Sequence, residues 1–209
     1  MLKKQIKILC TLGPSTLNKR FLNFAERKIS LLRLNMSHIE IKDLSNIIKF
    51  IKKNSNIPIC IDTEGSQIRT KVKKLIHYKV NQKFKVKYRG GNFNLYPDEV
   101  FQKIRKNDEL HIGFDDLKAK VLNKRKNYIL LNTTSRGSLE NNKGIHLKNR
   151  SINLSYLTNK DIKAIAVAKK LKIKYFALSF TNSVNDMKKF NLLLSKEKKI
   201  YKIETKQAL

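Results

Sequence analysis

Apolar residues in this chain arrive in two rhythms. The stretch IKILCTLG (6–13) is a near-continuous apolar run closed by Gly13-Pro14, and it predicts a strand ending in a turn. Residues 17–28 predict a short helix, and SLLRLNMS (30–37) a second strand. Beyond Ile39, apolar positions fall at Ile41, Leu44, Ile47, Ile48 and Ile51, the spacing of a helix face. NIPICIDTEG (56–65), bounded by Pro58 and Gly65, predicts a third strand. Strands that are apolar on both faces and alternate with helices predict a parallel sheet under helices.

The second rhythm is strict alternation. It runs from about Lys71 to Lys148 in KFKVKY (83–88), LKAKVL (117–122) and NYILLNT (127–133), with turn signals at Gly90-Gly91, Asp115-Asp116 and Arg136-Gly137. This predicts an antiparallel β domain inserted into the α/β one. The first rhythm then resumes. Thr158 with Asp161 and Ser183 with Asp186 are capping signals for two helices, the second running through Val184, Met187 and Leu194. YFALSF (175–180) and KIYKIE (199–204) predict strands. The expectation is a first α/β segment over 1–70, an insertion over 71–148 and a continuation of the α/β part over 149–209, with five strands and four helices outside the insertion.

Composition changes this picture little. No run approaches the ~20 apolar residues of a membrane span, and MLKKQIKILC carries no signal-peptide pattern, so a cytoplasmic location is expected. Cys10 and Cys60 lie in apolar β-like runs and read as core thiols. The net charge of +30 by itself suggests a polyanion partner. Yet 37 of the 46 basic residues are lysine, spread along the whole chain, and Lys, Ile and Asn make up 81 of 209 residues. AT-rich coding explains such a lysine coat on an ordinary fold, so nucleic acid is not the expected partner.

In parallel α/β folds, reactive groups collect where strands end. Those ends carry Thr11; Arg33, Asn35, Ser37 and His38; Asp62 and Thr63, followed by Arg69; Ser179; and Lys202 with Glu204. Arg33, Asn35 and Ser37 share one strand face by their spacing of two. Arg33, Arg69 and Lys202 suit phosphate or carboxylate. Asn35, Ser37, Asp62 and Thr63 offer oxygen to a hard cation, and Glu204 beside a lysine suits Mg2+ bridging to phosphate. Singly, each has a plain alternative: a salt bridge for Arg33, a helix cap for Ser37, a surface amine for Lys202. Together they favour a phosphate site.

These residues sit in motifs that resemble the pyruvate kinase family. RLNMSH resembles R-L-N-F/M-S-H, CTLGPST resembles C-T-I/L-G-P-A/S-S, IDTEGSQIRT resembles D-T-K-G-P-E-I-R-T, and YKIET resembles S-K-I-E-N. NNKGIHL and NLSYLTNKD resemble K-K-G-V/I-N-L and D-L-P-x-V/L-S/T-x-K-D at the return from the family's inserted lid. The resemblance implies a partial (β/α)8 TIM-type barrel with an inserted small antiparallel β-barrel. It implies phosphoryl transfer from phosphoenolpyruvate to ADP, giving pyruvate and ATP in glycolysis. Arg33 and Lys202 would face the phosphoryl group, with Lys202 stabilising it in transfer. Glu204 would hold Mg2+, and Asn35, Ser37, Asp62 and Thr63 would surround K+. Arg69, His38 and Lys143 would lie towards the nucleotide, and a full-length form would be a homotetramer.

Departures from the motifs bear on this reading. Glu64 stands for Lys, Ser66-Gln67 for Pro-Glu, and Asn182 for the Arg of S-F-I/V-R. The family's G-D-L-G strand would lie beyond Leu209, so the 209-residue chain is expected to have open sheet edges and negligible activity of its own. A degenerate relative that binds a phosphorylated ligand or a partner chain is the second reading, and a nucleic-acid binder, on charge alone, the third.

Overall fold

The computed structural model describes residues 6–113 and 117–205. The chain divides into two compact units: residues up to Ser66 together with those from Ser155 onward, and Gln67–Leu154 between them. The insertion thus begins before Lys71 and ends after Lys148.

The first unit opens with β1 (Leu9–Thr11), α1 (Lys19–Ala25), β2 (Leu31–Asn35), α2 (Ile41–Asn54) and β3 (Ile59–Asp62). The inserted unit contributes β4 (Ile68–Val72), β5 (Ile76–Tyr78), β6 (Lys83–Lys87), β7 (Phe93–Tyr96), α3 (Val100–Lys103), β8 (Glu109–Ile112), β9 (Leu117–Lys124), β10 (Tyr128–Thr133), β11 (Gly137–Leu139) and β12 (Gly144–Leu147). The first unit resumes with α4 (Asn159–Lys170), β13 (Tyr175–Leu178), α5 (Val184–Leu193) and β14 (Lys198–Tyr201).

In the first unit all pairings are parallel, in the order β1-β2-β3-β13-β14. Sequential strands in spatial order with helical crossovers are the construction of a (β/α) barrel. Leu32 and Leu34 of β2, Ile61 of β3 and Phe176 and Leu178 of β13 are buried with Leu44, Ile48 and Ile51 of α2, Ala164 and Ala168 of α4 and Phe190 of α5. Each large apolar side chain removed from water contributes about 1.5–3 kcal/mol.

Helix starts follow local chemistry. Asn18 Oδ1 accepts from the Phe21 amide at 2.9 Å, and Ser183 Oγ from the Asp186 amide at 3.1 Å. Thr158 and Asp161 form a complete capping box on α4.

The sheet is buried unevenly. β3 is buried at every position, while on β1 Leu9 and Thr11 are exposed and Cys10 is half-buried. Cys10 is therefore not the core thiol expected, because β1 is an edge strand of the sheet among the described residues. Val184 and Leu192 of α5 are also exposed; α5 sits beside the other edge strand of the described sheet. Strand residues end earlier than the apolar run suggested. β14 stops at Tyr201, so Lys202 and Glu204 follow the strand rather than lie in it.

The inserted unit is antiparallel throughout. Its seven-stranded sheet runs β6-β10-β9-β8-β12-β4-β7, and β5 pairs with β11 separately. Phe84 and Val86 of β6 point inward while Lys83, Lys85 and Lys87 point to water, the one-sided pattern of such sheets. The edge strands nearly close on each other, where Asn94 Nδ2 of β7 donates to the Lys87 carbonyl of β6 at 2.7 Å. Gly137, expected in a turn, begins β11. The Asp115-Asp116 signal lies outside the described residues.

Candidate functional site

The register of the parallel sheet brings the chemistry together. Arg33 lies beside Cys60, and Asn35 beside Asp62. Alternation sends Leu32 and Leu34 to the helices and leaves Arg33 and Asn35 on the opposite face. That face converges on Asp62, whose side chain is fully buried.

One carboxylate oxygen, Asp62 Oδ2, accepts from Arg33 Nε at 2.7 Å, from a second nitrogen of the same guanidinium, and from Lys202 Nζ at 3.0 Å. The other, Oδ1, accepts from Ser179 Oγ at 2.9 Å. Arg33 also donates to Thr11 Oγ1 at 2.7 Å, so strand ends from β1, β2, β3, β13 and β14 contribute. Lys202 lies 3.5 Å from Glu204 Oε1, and Glu204 Oε2 accepts from the Phe180 amide at 3.0 Å. The result is a chain of alternating charge, Arg33–Asp62–Lys202–Glu204, at the carboxyl ends of the strands. A buried carboxylate is stable here because two cations and a hydroxyl replace its water. Both cations keep about a quarter of their side-chain surface in solvent, Arg33 22% and Lys202 25%, so an arriving anion can reach them.

Next to this chain, Asn35 Oδ1 accepts from the Ser37 amide at 3.1 Å, and Thr63 Oγ1 from the Ser179 amide at 3.1 Å. Ser37 and Thr63 are buried, and His38 is exposed in the turn after β2. The oxygens of Asn35, Ser37, Asp62 and Thr63 are hard donors, which fits a cation such as K+ in chemistry. Glu204 is one carboxylate beside an ammonium, which fits Mg2+ where phosphate oxygens supply the other ligands. Among the described residues no group of three or more His, Cys, Asp or Glu is clustered for a metal.

Burial pushes the Cys60 thiol up to about 12, with the Asp62 charge adding to it, so this cysteine stays protonated.

Arg69 and Lys143 belong to the inserted unit. There Arg69 of β4 lies opposite Gly144 of β12, and Lys143, just before β12, accepts at its carbonyl from the Thr70 amide at 2.9 Å. Arg69 donates to the Asn142 carbonyl at 3.3 Å, and Lys143 pairs with Glu140 at 3.0 Å.

Three residues do more than their spacing indicated. Ser179 and Thr11 are hydrogen-bond partners of Asp62 and Arg33. Glu64, where the resembling motif has Lys, is buried and paired: Oε1 lies 3.2 Å from Lys160 Nζ, and Oε2 accepts from Thr158 Oγ1 at 3.1 Å. Asp161 accepts from the amides of Glu64 at 2.7 Å, Gly65 at 3.2 Å and Thr158 at 2.9 Å. Burial raises its pKa, the three amides oppose that, and the Glu64 charge adds to it. Apart from the Thr158–Asp161 cap, no local signal announces these pairs, since they join residues far apart in sequence.

A partial parallel (β/α) barrel, interrupted after its third strand by a small antiparallel β-barrel and carrying two partly exposed cations at its strand ends, defines the class of α/β protein observed here. A family model described as "Pyruvate kinase, barrel domain" matches residues 3–209, and the chain belongs to the pyruvate kinase family. It is 31% identical over 212 residues to a pyruvate kinase of Methanocaldococcus jannaschii, covering 99% of this chain and 45% of that protein. It is 29% identical to a pyruvate kinase of Buchnera aphidicola from Acyrthosiphon pisum, covering 99% and 47%. The crystal structure of Cryptosporidium parvum pyruvate kinase shares the fold with a TM-score of 0.87 at 23% identity, over 96% of this chain and 47% of that one. The chain thus spans about half the length of the relatives it matches.

Proposed function

We propose that the protein to which this sequence belongs transfers the phosphoryl group of phosphoenolpyruvate to ADP, the pyruvate-forming step of glycolysis. The observation that carries the reading is the convergence of Arg33 and Lys202 on Asp62 with Glu204 next in line, at the strand ends where this fold places its chemistry. Phosphoryl transfer asks mainly for positioning and for neutralisation of charge. Arg33 and Lys202 are catalytic in this reading. They bind the phosphoryl oxygens, and Asp62 keeps both cations aimed while leaving part of each open to solvent. Lys202 stabilises the charge on the group as it transfers.

Glu204 would hold Mg2+, and Asn35, Ser37, Asp62 and Thr63 would hold K+; bound there, the cations neutralise substrate charge. Arg69, His38 and Lys143 are proposed for the nucleotide. The burial of Glu64 against Lys160 favours catalysis over the degenerate-relative reading, since that departure is absorbed by a pairing and leaves the Arg33–Asp62–Lys202–Glu204 chain intact. No described helix is long and apolar enough to cross a membrane. A cytoplasmic location and a homotetramer for a full-length form are part of the proposal.

The test is pyruvate formation from phosphoenolpyruvate and ADP, coupled to lactate dehydrogenase, with Mg2+ and with K+ or Na+. A full-length product is expected to turn over and to prefer K+. A folded full-length product that forms no ADP-dependent pyruvate overturns the proposal. The 209-residue chain alone is expected to show negligible turnover, because Lys202 and Glu204 directly follow β14, the last strand of the described sheet.

A further inference from the structure

Asp161 reads at first as a helix cap, but most of its bonding lies elsewhere. Its carboxylate is fully buried and accepts three backbone amides. Only that of Thr158 belongs to the start of α4. The other two, of Glu64 and Gly65, belong to the segment that leaves β3, on the far side of the insertion in sequence. At the next residue, Ser66 Oγ donates to the Ser155 carbonyl at 2.8 Å, joining the same two segments again.

Gly65 carries the connection onward. Its φ of +68° is a left-handed conformation, and a Cβ there would meet the Ser179 carbonyl oxygen at 2.3 Å. The Gly65 backbone is therefore pressed against Ser179. Ser179 in turn donates Oγ to Asp62 Oδ1 and its amide to Thr63 Oγ1. A continuous path of contacts runs from the Asp161 carboxylate through Gly65 and Ser179 to the carboxylate that aims Arg33 and Lys202.

We propose that Asp161 is a positioning residue, whose carboxylate clamps the two segments bordering the insertion and, through Gly65 and Ser179, fixes Asp62 against Arg33 and Lys202. The consequence for catalysis rests on the function proposed above; the clamp does not. A cap alone requires the Thr158 amide and Thr158 Oγ1. It does not require Glu64 and Gly65.

The experiment uses the full chain and amide and side-chain hydrogen exchange by NMR, comparing Asp161→Asn with Ser183→Ala. The second variant removes the N-cap bond of α5, which is not a link in the path. Asn offers one acceptor oxygen and turns an NH2 towards the remaining amides. Exchange at the Glu64 and Gly65 amides should rise roughly tenfold or more in Asp161→Asn, the ratio that goes with losing one charge-assisted hydrogen bond. Exchange at Arg33 Nε–H, which donates to Asp62, should rise with it. Ser183→Ala should leave all three within about twofold, since its capping bond is local.

Unchanged Glu64 and Gly65 exchange in Asp161→Asn overturns the clamp. Faster exchange there with Arg33 Nε–H unchanged overturns the coupling to Asp62. Should Asp161→Asn not fold, Gly65→Ala tests the next link with the carboxylate intact: faster Arg33 Nε–H exchange supports the path and unchanged exchange overturns it. None of these readouts needs turnover, so an enzyme assay that fails tells against the proposed function and leaves this inference to its own result. If phosphoenolpyruvate binds the wild-type chain, weaker binding to a folded Asp161→Asn supports the coupling and equal binding overturns it.

Discussion

Replacing Asp62 by Asn keeps the shape of the side chain and removes its charge. In the wild type, that carboxylate accepts two bonds from Arg33, one from Lys202 and one from Ser179, with no solvent exposure of its own. A hydrogen bond to a charged group contributes about 1.5–3 kcal/mol net, so losing the Arg33 and Lys202 interactions amounts to roughly 3–6 kcal/mol before relaxation. Water recovers part of it, because Arg33 is 22% and Lys202 25% exposed. Discounting for that screening leaves about 2–4 kcal/mol lost from the first unit. Lys202→Met removes one cation and leaves the Arg33–Asp62 pair, and should cost only about 1 kcal/mol. The assay is urea titration followed by amide exchange at Leu32 and Ile61, both in the core of that unit. With m near 1–3 kcal/mol/M, the Asp62→Asn midpoint should fall by about 1–2 M. A loss below about 0.5 kcal/mol, or a Lys202→Met loss as large as that of Asp62→Asn, would falsify the reasoning that one buried carboxylate organises both cations.

Other expectations follow from single contacts. Gly65→Ala forces a left-handed Ala and a 2.3 Å approach to the Ser179 carbonyl oxygen, so it should destabilise the first unit by about 2–4 kcal/mol in the same titration; a neutral change would mean the loop yields freely. Thr158→Ala removes one leg of the α4 capping box and should cost about 0.5–2 kcal/mol by thermal unfolding, with no loss counting against the cap. Burial would raise the Asp108 pKa, but the Arg150 hydrogen bond, the Arg105 amide and both charges outweigh it, leaving the group below its ordinary value. Its contribution to the inserted unit is therefore present above about pH 4 and lost as pH falls through the depressed folded value, and Asp108→Asn should flatten that part of the acid stability profile; an unchanged profile would show the pair to be idle. Asp161 has the opposite sign: its pKa is raised, so the stability it adds relative to Asp161→Asn should be largest below its unfolded value and shrink as pH rises through the folded one, a difference that denaturant titrations from pH 3 to 7 will read.

The parallel half of the fold was legible because strands such as ICID, buried at every position, leave near-continuous apolar runs. The inserted half was legible because Phe84 and Val86 alternate with three lysines. Arg33 and Asn35 could be placed on one face by their spacing alone. What the sequence could not show is which strand end meets which. Lys202 reaches Asp62 across 140 residues, and Asp161 reaches Glu64 across 97. Such pairings are set by sheet order and register, which local periodicity does not encode. Edges were the other weak point. Val184 opens α5, beside β14, and Cys10 lies in β1; these are the two edge strands of the described sheet, where there is less to pack against. Glu64 read as a departure from a motif, and only its partners Lys160 and Thr158 give it a role.

The bond between Ser66 Oγ and the Ser155 carbonyl bears on how the chain finds its shape. β3 pairs with β13 through Cys60 and Tyr175, residues separated by the whole insertion, and closing a loop of that length slows a search. The inserted unit has its own buried core, assembled from residues 67–154. Once that core forms, the stretch of backbone that β3 and β13 must search contracts to residues 63–66 and 155–174 outside it. A long detour in the chain then behaves kinetically as a shorter one wherever the inserted unit forms first.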